Sequence, residues 1–109
     1  MAHPEINELM ERLPTAFQPD QAEGLDVVLQ FSASGAKGGD FYLTIAGGQC
    51  QAAEGVHSSP TTTFKADGQD MVDLMSGRAD GMSLFMQGRL AVDGNMGIAM
   101  RMASLFKAG

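Results

Sequence analysis

Residues 25–46, LDVVLQFSASGAKGGDFYLTIA, decide the fold class of this chain. Apolar residues take every second position on both sides of the central GAKGGD segment, which is the period of a half-buried β-strand. The residues of one face are Leu25, Val27, Leu29, Phe31 and Ala33 before the turn, and Phe41, Leu43 and Ile45 after it. This stretch therefore predicts two neighbouring strands joined by a turn.

Further strands follow at short intervals. The Gly47-Gly48 pair predicts a tight hairpin, because glycine adopts the backbone angles that such a turn requires. A third strand is expected over residues 49–53. After a turn at residues 55–60, a fourth strand has an apolar face made of Thr62, Phe64 and Ala66. Short connections of this kind predict an antiparallel meander of four strands with one apolar face.

The sequence before this meander predicts an amphipathic helix and a loop. Pro4 suits a first helical turn, and the apolar positions that follow at helical spacing are Ile6, Leu9, Met10 and Leu13. We expect this helix to end near Pro14. Residues 15–24 contain Pro19 and Gly24 and predict a connecting loop, with Phe17 as its anchor.

The sequence after the meander changes to helical patterning. Asp67 is suited to cap a helix that Gly77 would end. A short helix is expected over residues 81–87, followed by a fifth strand over residues 89–93 that rejoins the sheet. Asn95 can cap a final helix. The expected fold class is therefore α+β, with a five-stranded, mainly antiparallel sheet and helices packed on one face.

The final helix is unusually apolar. Its apolar residues are Met96, Ile98, Ala99, Met100, Met102, Ala103, Leu105 and Phe106. Such a helix needs cover on more than one side, from the sheet, other helices, a partner subunit or a ligand. Seven of the nine methionines lie between Met71 and Met102. Methionine adapts to irregular shapes, so these residues indicate either simple core packing or a forgiving apolar lining.

Composition narrows the function classes. The 109 residues suffice for one domain over residues 1–109, and thirteen acidic against seven basic residues give a formal charge of −6. Nucleic acid and anionic membranes are therefore poor partners. The first fourteen residues are unlike a signal peptide and no long apolar span exists, so we expect a cytoplasmic protein. With one cysteine and two histidines, we expect no metal site and no cofactor.

Three stretches of the chain resemble the sterol carrier protein 2 (SCP2) family of lipid-binding domains. The strongest match covers residues 75–107, where SGRAD at residues 76–80, FMQGRL at 85–90, GNM at 94–96 and SLFK at 104–107 follow the family's order and spacing. Residues 24–31 look like its first strand. Residues 48–55 and 60–64 are similar to its third and fourth strands. The resemblance identifies a stand-alone, bacterial-type SCP2 domain.

This resemblance implies an apolar tunnel between sheet and helices, and a role in binding or moving sterols, fatty acids, acyl-CoAs or isoprenoid-like lipids. The family often has Asp-Pro where this chain has Asp80-Gly81, which we expect to loosen the short helix and widen the access to the tunnel. Peroxisomal members end in a targeting tripeptide, whereas this chain ends Lys107-Ala108-Gly109. A peroxisomal address is therefore not expected.

We predict that the lipid-binding residues lie on the inner sheet face and on the methionine-rich helices. On the sheet they are Phe31, Leu43, Ile45 and Phe64; on the helices they are Met71, Leu74, Met75, Met82, Phe85, Met86, Met100, Met102 and Phe106. Arg78 and Arg89 flank the short helix and could meet a charged head group, or they are ordinary surface cations. We expect a monomer that makes transient contacts with membranes or lipid enzymes.

Two alternatives to a lipid carrier remain. One is an interaction or dimerisation module that docks through the final helix. The other is a hydrolase using Cys50 and His57, which is disfavoured because Cys50 alternates onto an apolar strand face. Asp70 and Asp73 are typical of a helix N-terminus, and the glycine-rich residues 35–39 lack the spacing of a phosphate loop. We therefore expect no catalytic residues and no enzyme activity.

Overall fold

The computed structural model describes residues 3–76 and 78–106, without the side chains of residues 102–104. The helices are α1 (Pro4–Ala16), α2 (Gly68–Met75), α3 (Gly81–Met86) and α4 (Met96–Leu105), and a 3-10 helix spans Pro19–Ala22. The strands are β1 (Asp26–Ser34), β2 (Gly39–Ala46), β3 (Gln49–Glu54), β4 (Thr62–Asp67) and β5 (Leu90–Gly94). The α+β class and the five strands are as predicted.

The strand order corrects the predicted meander. The sheet runs β3-β2-β1-β4-β5, and β4 pairs with β1 in parallel instead of following β3. The other three pairings are antiparallel. Alternation in the sequence sets the face on which a side chain lies, but not the neighbour of its strand. The small side chains that β3 turns inward, Cys50 and Ala52, suit an edge, whereas β4 buries Phe64 and occupies an interior position.

Helix α1 runs further than expected, to Ala16, with Pro14 inside its last turn. Pro14 has no N–H to donate to the carbonyl of Met10, four residues earlier, so α1 lacks one helical hydrogen bond in its last turn. The hydroxyl of Thr15 donates to the carbonyl of Arg12 at 2.6 Å and so satisfies one of the carbonyls near this end. The expected loop at residues 15–24 contains the 3-10 helix.

Loops and caps follow the sequence signals. Phe17 anchors the loop as predicted, because it forms a β-bridge with Phe106 and the two ring centroids lie 5.9 Å apart. Asp67 and Asn95 cap α2 and α4 through their side-chain oxygens, as predicted. Gly77, the predicted end of α2, lies outside the described residues. Among these residues, no helix is long and apolar enough to cross a membrane.

Three phenylalanine side chains form a stacked row on the inner face of the sheet. Phe31 of β1 stacks between Phe41 of β2 and Phe64 of β4, with ring centroids 4.8 and 5.2 Å away. Phe41 and Phe31 are fully buried. The buried face of α1, formed by Ile6, Leu9 and Leu13, joins the same core. The row therefore runs from the core towards β5, where Phe64 pairs with Val92.

Candidate functional site

An apolar cleft of about 340 Å³ opens between the β4–β5 side of the sheet and helices α2, α3 and α4. We call this the apolar cleft. Its lining residues are Phe64, Leu74, Asp80, Gly81, Met82, Phe85, Leu90, Val92, Met96, Ala99 and Met100. This volume is at the lower end of the range of about 300–1,000 Å³ for small-molecule sites.

The sheet supplies the floor of the cleft and the helices supply its walls. Phe64, Leu90 and Val92 lie on the inner face of β4 and β5, and two of them are buried. On the walls, Met82 is 58% exposed, Phe85 45% and Met100 76%. Large apolar side chains with this much exposure border the opening. The cleft is therefore closed by the sheet below and open to solvent above.

Local sequence signals fix the helices around the cleft. The carboxylate of Asp80 accepts hydrogen bonds from the backbone N–H and the hydroxyl of Ser83, at 3.1 and 3.0 Å, and so caps α3. A Cβ at Gly81 would lie 3.2 Å from a methyl group of Leu74. A side chain at this position would therefore crowd Leu74, and the wider access that the resemblance implies stays a prediction.

The structure brings some of the predicted binding residues to the cleft and places others elsewhere. Phe64, Leu74, Met82, Phe85 and Met100 line it. Deep in the core, away from the lining, are Phe31, Leu43, Ile45 and Met71, each fully buried; Met75 packs against that core, and Phe106 against Phe17. Met86 is 80% exposed and lies outside the lining. The side chain of Met102 lies outside the described residues.

Sequence reasoning did not name several lining residues. Leu90 and Val92 are predicted only as strand residues, and Met96 and Ala99 only as part of a final helix whose cover is left open; all four line the cleft. The alternation of Leu90 with Val92 was the available signal, because it places both on the face that Phe64 occupies. An enclosed tunnel stays a prediction, since the described residues border an open cleft.

The two arginines near the short helix are held by carboxylates. Arg89 makes a bidentate ion pair with Asp70, whose side chain is 11% exposed. The Nε of Arg89 donates to Oδ2 of Asp70 at 3.1 Å, and a second guanidinium nitrogen donates to Oδ1. This hydrogen bond and the negative charge of Asp70 raise the pKa of Arg89. Arg78 pairs with Asp73 at 3.2 Å in a more exposed position. Both guanidinium groups therefore have a structural partner.

The local environment of Cys50 is unsuited to nucleophilic chemistry. Its side chain packs against the core from edge strand β3, and burial raises the pKa of the thiol from 9.0 to about 11. A nucleophilic cysteine needs a lowered pKa. His57 is positioned by other contacts: its backbone N–H donates to Gln30 at 2.8 Å and its ring meets that of Tyr42 edge-on.

Comparisons with known proteins agree with one another. The profile of the SCP-2 sterol transfer family matches residues 6–107. A stretch of 50 residues is 34% identical to peroxisomal multifunctional enzyme A of Dictyostelium discoideum, and it covers 46% of this chain and 11% of that enzyme. The chain thus corresponds to a small part of that relative.

Solved structures with the same fold include chains of similar length and a part of a much longer one. The sterol carrier protein domain 2 of Helicoverpa armigera is 27% identical with a TM-score of 0.72, over 93% of this chain and 84% of that one. Palmitated SCP2L2 of Aedes aegypti is 21% identical with a TM-score of 0.71, over 92% and 88%. The sec-alkylsulfatase Pisa1 of Pseudomonas sp. is 20% identical with a TM-score of 0.79, over 92% of this chain but 16% of the sulfatase.

Proposed function

Since this chain belongs to the SCP-2 sterol transfer family, whose domains bind and transfer lipids, we propose that it holds one lipid-like molecule in the apolar cleft and delivers it to a membrane or an enzyme. The candidate ligands are sterols, fatty acids, acyl-CoAs and isoprenoid-like lipids. The observation that supports this proposal is the cleft itself, where Phe64, Leu90 and Val92 form an apolar floor beneath methionine-rich walls.

The energetics of such a cleft suit a carrier. Burying an apolar chain gains about 0.8 kcal/mol per methylene, which offsets the loss of freedom on binding without a charged anchor. Methionine side chains adjust to ligands of different shape. The family's domains are typically carriers and not enzymes, and the raised pKa of Cys50 is in keeping with a binding role. A half-buried free thiol also fits the reducing cytoplasm, where we propose that the protein works.

Two neighbouring residues of α3 provide the test. Phe85 lines the cleft, whereas Met86 is exposed and does not. We expect Phe85→Asp to weaken binding of the uncharged fluorescent probe N-phenyl-1-naphthylamine by at least about tenfold, because a carboxylate in an apolar site is costly. Met86→Asp introduces the same charge one residue away and should change the affinity by less than about twofold.

Circular dichroism and urea unfolding establish that both variants are folded before the probe titration. Native mass spectrometry of the purified wild type then reports any lipid that it retains. Equal effects of the two substitutions would remove the cleft as the binding site. No uptake of the probe by the wild type would overturn the proposed function.

A second candidate function is an interaction module that docks through α4. Met100, 76% exposed, and Met96, 47% exposed, favour it, because exposed large apolar side chains mark many interaction surfaces. Sedimentation of the wild type and of Met100→Lys tests it. A concentration-dependent dimer that Met100→Lys abolishes would support docking, and a monomer at all concentrations would exclude self-association.

A further inference from the structure

We propose that the ligand of the apolar cleft has an uncharged head group. This inference rests on the proposed function and narrows its ligand class from lipids in general to alcohols, esters, quinones or hydrocarbons.

The charge at the cleft is negative. Among the described residues that line the cleft, Asp80 supplies the one acidic or basic side chain, and it stands at the start of α3 among Gly81, Met82 and Phe85. Its carboxylate also accepts the hydrogen bonds of the backbone N–H and the hydroxyl of Ser83, so these two donors are already used within α3. A second carboxylate at this opening would therefore meet a like charge in place of a donor.

The basic side chains that the structure describes are directed elsewhere. These are six of the seven in the sequence, with Lys107 outside the described residues. Arg89 and Arg78 pair with Asp70 and Asp73. Arg12 donates to Ser76, Lys37 pairs with Glu5, and Arg101 donates to the carbonyl of Gln21. Lys65 alternates with Phe64 along β4 and so lies on the opposite face of the sheet.

The net charge of the whole protein has the same sign as the charge at the cleft. A formal charge of −6 gives a negative potential that repels fatty acids and acyl-CoA phosphates and leaves neutral lipids unaffected. Of the basic residues near the short helix, Arg78 and Arg89 could pair with an anion only by giving up Asp73 or Asp70. A neutral lipid gains the same apolar contacts at no such cost.

Dodecanol and dodecanoate provide a matched pair of competitors, because they share a chain and differ in charge. At pH 8 and low salt, we expect dodecanol to displace N-phenyl-1-naphthylamine from the wild type at a concentration at least about threefold lower than dodecanoate. In Asp80→Asn the dodecanoate concentration should fall relative to the dodecanol concentration, so that this difference shrinks by roughly threefold. Asparagine caps helices as well as aspartate does, so α3 is retained.

Asp93→Asn is the control for net charge. Asp93 is exposed and alternates with Val92, so it lies on the face of β5 away from the cleft. This variant should behave as the wild type does. If dodecanoate competes as well as dodecanol, or if Asp80→Asn and Asp93→Asn act alike, the neutral head group is overturned while the binding site stands. If the wild type takes up no probe, the proposed function fails and this inference fails with it.

Discussion

The inner face of the sheet is covered in two different ways. Over β1 and β2, Leu29, Phe31, Leu43 and Ile45 are fully buried in the core that the apolar face of α1 joins, and we call these four residues the dry core. Over β4 and β5, the cover of α3 and α4 leaves the apolar cleft open. The two regions are similarly apolar, yet one is packed and the other is not.

The helices that pack on the two regions differ in length. At 1.5 Å per residue, the 13 residues of α1 span about 20 Å, whereas the six residues of α3 span about 9 Å. Met82 and Phe85 of α3 stay partly exposed at the cleft. Length alone does not decide burial, because Met71 of the eight-residue α2 is fully buried.

Truncation of a phenylalanine in each region should give the largest difference in stability between the dry core and the cleft. We expect Phe31→Ala to reduce the free energy of unfolding by about 3–5 kcal/mol, because it leaves a cavity between two stacked rings. Phe85→Ala removes the same atoms from a side chain that is already 45% exposed and should cost less than about 1 kcal/mol. Urea unfolding of both variants measures the two values. Equal losses would show that the cleft is as tightly packed as the dry core.

The ion pairs near the cleft should give an intermediate effect. Arg89→Ala leaves the carboxylate of Asp70, 11% exposed, without its partner, and we expect the melting temperature to fall below that of the wild type. Arg78→Ala is the matched control, because Arg78 and Asp73 are 61% and 30% exposed, and it should cost less than about 0.5 kcal/mol. Thermal unfolding at low and high salt distinguishes the two. Similar losses would mean that the Arg89–Asp70 ion pair does not stabilise the packing of α2 near the start of β5.

Cys50, which borders the dry core, should give the smallest effect on stability. Its effect should appear instead in the reactivity of its thiol. With its pKa raised from 9.0 to about 11, the thiol stays protonated in the folded protein while pH rises through the range where an unfolded chain ionises. Alkylation by iodoacetamide at pH 8 should therefore be roughly a hundredfold slower than in the urea-unfolded chain, with the rate rising towards pH 11. A rate that levels off near pH 9 would show that water reaches this side of the core.

Most of the fold could be predicted from the sequence because it depends on local patterns. The alternation in residues 25–46 gave the faces of β1 and β2, and the caps Asp67 and Asn95 marked their helices. The parallel pairing of β1 with β4 could not be predicted, since register Leu29 with Thr62 joins residues far apart in the chain. Local patterning contains no information about such a neighbour.

The candidate site was harder to predict for the same reason. Met82 and Met86 share one short helix and look alike in the sequence, yet the first lines the cleft and the second does not. Met71 has the same chemistry and is fully buried. Which methionine faces empty space depends on where α2, α3 and α4 meet the sheet, and tertiary packing decides that.

The parallel β1–β4 pair affects how the chain folds while it is being synthesised. The first three strands leave the ribosome as a local meander, whose outer edge at β1 has no partner until β4 has been synthesised. The unpaired edge of β1, a strand that contains Leu29 and Phe31, is a template for aggregation. The pairing that covers it forms slowly, because it joins residues far apart in the chain. We therefore expect synthesis, and not the finished protein, to be the stage most in need of a chaperone, and codons for residues 55–67 to influence the yield of folded protein.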